Sequence, residues 1–228
     1  MPEPLDLAAM EAEIGAAYAA RTAIHPPGTH LGWRLLYSPP DVVGSATVAF
    51  VGIKPGGRSN NPDHGEFAMD RGSAFDPSIE NWGRSSNLQR QVQAIFRRLG
   101  VRPDSVLAGN VVPFRAPCWQ GLHDKEGALI FGEGIWRRLI AASQPKLVIS
   151  MGEDAHKIIC SILGVRDRQL HHLNPDQIGR RAINAWRSEF EGGVWIGLPH
   201  LSRLSVMTHE TSKPTLDALF ADLPDLRP

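Results

Sequence analysis

The sequence predicts an α/β fold built on a parallel sheet, and three observations carry that prediction. Four short runs rich in Val and Ile, at 47–53, 105–112, 146–151 and 194–198, are bounded by Gly, Pro or polar residues, as strands buried on both faces should be. Helical patterns fill the gaps between them, which argues for βαβ units. Each run also ends in a segment rich in Gly, Pro, Asn, His or Ser: "GIKPGG", "GNVVPFRAP", "SMGEDA" and "LPHLSRLS". In an open α/β sheet, ligands bind outside the carboxyl ends of the strands, so one edge of this sheet is marked as the place for chemistry.

Taken in order, residues 5–21 are rich in Ala, Leu and Glu with apolar residues at helical spacing, and "HPPG" at 25–28 breaks that helix. The first strand run follows at 47–53. A second helix is expected at 87–100, with apolar residues at 88, 92, 95, 96 and 99 and Gly100 as its stop. Further helices are expected at 131–143, 153–164 and 176–190. With no repeat, low-complexity tract or linker, a single domain over 1–228 is expected, residues 1–40 forming an N-terminal helix and loop packed on it.

Composition excludes several classes. Hydrophobic residues at 42% and charged ones at 21% suit a water-soluble globular chain, and no apolar stretch is long enough to span a membrane. The early acidic residues do not match a secretory signal, so a cytoplasmic location is expected. Cys118 and Cys160 are the only cysteines, too few for a four-cysteine zinc site or iron–sulfur cluster. No H-E-x-x-H spacing occurs, so neither metal nor cofactor is expected. The 24 basic and 24 acidic residues cancel, so a polyanion would have to be met by a local patch. "GIKPGG" is neither a P-loop nor a dinucleotide fingerprint, and no G-x-S-x-G elbow appears.

"GIKPGG" (52–57), "GNVVPFRAP" (109–117) and "HLSRLS" (200–205), in that order on successive strands, resemble the uracil-DNA glycosylase superfamily. The likeness spans roughly residues 47–206. It implies a three-layer α/β/α sandwich with a four-stranded parallel sheet, and removal of uracil or another damaged base from DNA; a monomer is the default expectation for a chain meeting one DNA site. It places Gly52, Ile53, Pro55 and Gly56 in the turn that floors the base pocket. Phe67 falls at the position of the stacking phenylalanine, and Asn110 at that of the amide that reads the base edge. His200 matches the histidine whose donor meets the charge developing on the departing base. Ser202, Arg203, Leu204 and Ser205 fall in the segment that enters the minor groove, hydroxyls on phosphates and an apolar wedge in the stack.

The departures are informative. Where relatives carry an Asp or Asn that positions water, this chain has Lys54. Three roles are open: electrostatic support of phosphate or the leaving base, attack on the sugar as an amine, or exposure to solvent while Asp63, Glu66 or the backbone positions water. The third is the preferred expectation. Gly56 stands where uracil-specific relatives carry a tyrosine that rejects thymine, which implies a roomier pocket. The alternative to a glycosylase is a catalytically weak protein of the same fold that binds lesions or abasic DNA.

Overall fold

A computed structural model of the chain describes residues 5–25, 31–56, 65–78, 86–173 and 183–227. Its main sheet has six strands in the order β4 (Leu107–Asn110), β2 (Val48–Gly52), β5 (Leu147–Met151), β8 (Gly193–Leu198), β7 (Ile183–Phe190) and β6 (Gln169–Leu173). The first four are mutually parallel, and β7 and β6 add antiparallel at one edge. A separate two-residue pairing joins β1 (Trp33–Arg34) to β3 (Gly65–Glu66).

The pleat divides the core in two. Ala49, Val51, Val148 and Trp195 pack on one face with α1 (Leu7–Ile24), α3 (Lys125–Ser143) and α4 (Glu153–Leu163), whose Met10, Ile14, Ile135, Trp136 and Ile159 are buried there. Val48, Phe50, Ile149 and Ile196 face α2 (Asn87–Leu99) and α5 (Lys213–Leu219) on the other, with Val92, Ile95, Phe96 and Leu216. Helices on both faces of a largely parallel sheet make the three expected layers. Among the described residues no helix is long and apolar enough to cross a membrane.

Two expectations need correction. The sheet has six strands rather than four, although its parallel part is the four-stranded unit foreseen. Residues 183–190 are the strand β7, not the end of a helix, and the rest of that expected helix, 176–182, lies outside the described residues. The physical reason is the turn at Glu191-Gly192, where Phe190 pairs with Gly193 and β7 folds back along β8 as a tight hairpin. Ala185 is then buried in the α2/α5 face while Trp186 packs against the other, a strand's period of two.

The helix ends are locally specified. Ser86 caps α2 by accepting from the Gln89 backbone N–H, and the Gln89 side chain accepts from the Ser86 N–H. This cap matters for the site, because Asn87 begins the same helix.

Candidate active site

Four parallel strands deliver four segments to one edge of the sheet. β4 ends on Asn110, β2 leads into Lys54, β5 into Gly152, and β8 through Pro199 to His200. Neighbouring strands in register set their separation, with Gly52 opposite Asn110 and Met151 opposite Leu198.

The backbone of Asn110 is fully engaged by protein. Its N–H donates to Leu35 O at 3.1 Å, and the buried Trp136 Nε1–H donates to its carbonyl at 2.6 Å. The side chain is therefore not needed to cap the strand end. It is 4% exposed, and its Nδ2 is buried with no hydrogen-bond acceptor. A donor of this kind costs about 1–3 kcal/mol when left unmet, so it calls for an acceptor from a water or a ligand. Its Oδ1 lies across Gly52, where a Cβ would sit 2.6 Å from that oxygen. Only glycine admits the amide there, a reason for Gly52 more specific than a turn.

Lys54 is half-buried and does not point to solvent, which overturns that expectation. Its Nζ donates to Ala116 O at 2.8 Å and to Pro55 O at 3.0 Å. As an ammonium it has one more N–H beyond these two. Burial lowers its pKa from the ordinary lysine value, Arg115 lowers it further, and Cys118 acts the other way. Glu66, one of the groups expected to position water, instead forms an ion pair with Arg34. Asp63 and Gly57 lie outside the described residues.

His200 is half-buried, and its Nδ1 shares a 2.7 Å hydrogen bond with the Ser202 hydroxyl. Its Cδ2 lies 3.7 Å from where Gly152 would carry a Cβ, and Gly152 holds φ +88°, a conformation other residues rarely adopt. Burial lowers the imidazole pKa, and the charges of Arg203 and Lys54 lower it further. Burial first, and these charges after it, thus favour the neutral form of the ring. In the tautomer in which Ser202 donates to Nδ1, the ring proton stands on Nε2.

The loop after His200 is anchored from both sides. Leu201 is fully buried in the α2/α5 face, and Asn87 Nδ2 donates to Leu201 O at 3.0 Å. Ser205 Oγ donates to Asn87 Oδ1 at 2.9 Å, and Arg203 N–H donates to His200 O at 3.0 Å. Ser202, Arg203 and Ser205 are exposed, whereas Leu204 is half-buried against the core. The hydroxyls of Ser202 and Ser205 therefore already have intramolecular partners, His200 and Asn87.

In the turn after β2, Pro55 is buried, Ile53 packs against the core and Gly56 is exposed. A Cβ at Gly56 would meet nothing within 4 Å, so there is room beside it. Phe67 is 7% exposed and belongs to the cluster with Ala49 and Val51. Its carbonyl accepts from Leu36 N–H at 2.9 Å. The structure thus brings Gly52, Lys54, Asn110 and His200 to one edge and seats Phe67 largely in the core.

Three contributors escaped the sequence reading. Arg115 follows the second strand-end motif and donates to Gly56 O at 3.4 Å. Asn87 braces the His200 loop from α2, with no local signal beyond its place after a cap. Tyr37 enters from the segment after β1, where its N–H donates to Ala108 O at 2.7 Å. Among the described residues, no group of three His, Cys, Asp or Glu side chains gathers to hold a metal ion.

The sequence profile of the uracil DNA glycosylase superfamily matches residues 39–224. No curated protein matches the chain.

Proposed function

The chain belongs to the uracil DNA glycosylase superfamily, and from that premise we propose that it hydrolyses the N-glycosidic bond of uracil in DNA, as a base-excision repair enzyme acting as a cytoplasmic monomer. The observation that carries the reading is the buried Nδ2 of Asn110, a donor with no protein acceptor at the edge where Lys54 and His200 also converge. An amide offers a donor to uracil O4 and an acceptor to N3–H. To reach it the base must leave the stack and enter the pocket.

The chemistry follows from the charges. Breaking the C1′–N1 bond leaves its electron pair on the base, so negative charge grows on the pyrimidine oxygens. A neutral His200 donating from Nε2 to O2 stabilises that charge where it forms. Lys54 contributes in two ways: its remaining N–H and positive charge favour the departing anion, and its field helps keep His200 neutral. The sugar left behind is oxocarbenium-like. Water capturing such a cation needs placement more than a strong base, which suits a site with lysine at the position of the usual carboxylate or amide. Water's oxygen joins C1′, and its proton goes to the base.

Phe67 would supply one face of the pocket through its small exposed area, and Gly52, Ile53 and Pro55 its floor. The space beside Gly56 would admit bases bulkier at C5 than uracil. Arg203 and Arg115 give a neutral chain a local basic patch for phosphates, with Ser202 and Ser205 orienting the loop and Leu204 its apolar contact with the stack.

The test is release of base from oligonucleotides carrying one uracil, hypoxanthine or mismatched thymine, single- and double-stranded, with alkali to cut at abasic sites. Uracil release is expected, with some release of a second base. Tight binding of these strands without release would instead make the protein a lesion binder, the alternative that a lysine in place of the usual carboxylate or amide leaves open.

A further inference from the structure

Removal of a base by water leaves a sugar that opens to an aldehyde at C1′, and the same edge of the sheet holds an amine. A primary amine that can shed its proton attacks such a carbon. Lys54 meets that requirement by the way its nitrogen is held. Val111 N–H donates to Gly52 O at 2.9 Å and Val112 N–H to Ile53 O at 2.8 Å, so the pairing of β2 with the β4 segment fixes the chain up to the lysine. Nζ is then gripped by two backbone carbonyls, Ala116 O at 2.8 Å and Pro55 O at 3.0 Å.

Those carbonyls take two N–H groups, and the stem takes a third tetrahedral position. The fourth carries the last N–H of the ammonium or the lone pair of the neutral amine. Losing that proton therefore breaks neither bond to the protein. Among the described residues no carboxylate pairs with Lys54 to hold the proton in place, and Glu66 is taken by Arg34. The surroundings lean the same way: burial, the largest influence, lowers the Lys54 pKa, Cys118 raises it, and Arg115 lowers it again.

We propose that Lys54 is also a nucleophile toward abasic DNA, so that the protein cuts the strand once the base has gone. This rests on the glycosylase reading above for the substrate that reaches the site. The Nζ lone pair adds to C1′ of the aldehyde, and the carbinolamine loses its oxygen as water to give an iminium ion. The iminium makes the C2′ protons acidic. One of them passes to water, its electron pair forms the C2′–C3′ double bond, and the C3′–O bond breaks with its pair on the departing phosphate. Water then hydrolyses the imine, which releases an unsaturated aldehyde and restores the amine. The cation thus favours the departing base, and the amine takes the aldehyde that the departure creates.

The test starts from labelled duplexes that already hold one abasic site, so it needs no base release by this protein. Sodium borohydride is added, which reduces an iminium to a stable amine link. The wild type is expected to form a covalent adduct with the strand, mapped by mass spectrometry to the peptide bearing Lys54, and to nick the strand without alkali. Lys54→Arg keeps donors for the two carbonyls but is no nucleophile, and a thermal melt checks its fold. It is expected to lose at least about tenfold in both adduct and nicking. Mapping locates the link in the wild type itself, so the test holds even if the variant misfolds. No adduct, an adduct on another amine such as the N-terminal one, or undiminished trapping by folded Lys54→Arg would overturn the proposal. An adduct on Lys54 in a protein that releases no uracil would uphold the nucleophile and remove the glycosylase reading, and uracil release with no adduct would do the reverse.

Discussion

Adding one methyl group at Gly52 probes the site without touching a charged residue. In Gly52→Ala the new Cβ would lie 2.6 Å from Asn110 Oδ1, about 0.8 Å inside the 3.4 Å at which ordinary contact begins, while Met151 Cε at 3.5 Å is not crowded. The amide must yield, because β2 and β4 are locked in register at this pair. A forced rotamer costs about 0.5–1.5 kcal/mol. In a chain of this size that lowers the melting temperature by about 1–6 °C. The catalytic effect should be larger, since a displacement near 1 Å at a positioning group costs on the order of 10²-fold. Uracil release under single turnover is expected to fall about 30- to 100-fold, or about 2–2.7 kcal/mol of transition-state stabilisation. Gly15→Ala is the control: it lies in α1, and its Cβ would meet nothing within 4 Å. It should leave release unchanged and hold or raise the melting temperature. A Gly52→Ala enzyme within about threefold of wild type would refute the reasoning that the Asn110 amide reads the base.

Lys54→Met removes the cation while keeping most of the stem. Uracil release should fall about 10- to 100-fold, and the acid limb of the rate profile should move to higher pH, because Lys54 is one of the charges lowering the His200 pKa. A measured rate–pH profile with an unmoved acid limb would separate the two residues. The buried His156, 1% exposed, has its pKa lowered chiefly by burial. A folded-state pKa below the unfolded one gives stability that is present above about pH 6.5 and lost as pH falls below it. Urea midpoints should therefore drop between pH 7.5 and 5.5, and less so in His156→Gln. That histidine's Nε2 bonds Leu198 O at 2.9 Å and Ser150 O at 3.2 Å, tying the ends of β5 and β8 together just before His200.

The legible part of this fold is what local pattern and order along the chain encode. The four parallel strands are apolar runs because both their faces are covered, and their ends stand out because they are rich in Gly, Pro, Asn, His and Ser. Asn110, Lys54 and His200 were legible for that reason, and Gly52 with them, though its steric purpose was not. β7 was read as helix because "INAWRSEF" mixes apolar and polar residues at a spacing that suits either period, and only the turn at Glu191-Gly192 decides between them. Tyr37, Asn87 and Arg115 were invisible because each acts across the fold: Asn87 is 118 residues from Ser205, which it braces. Lys54 was expected in solvent because a lysine is a poor general base, whereas the Ala116 carbonyl, 62 residues away, captures it.

The most direct test is single-turnover release of uracil from a duplex with one U·G pair, comparing wild type with His200→Ala at matched fold stability. Release by the wild type, slowed at least about 100-fold in His200→Ala with duplex binding retained, is the expected result. Release that is equally fast in both proteins, or absent from the wild type while it still binds the duplex tightly, would contradict it.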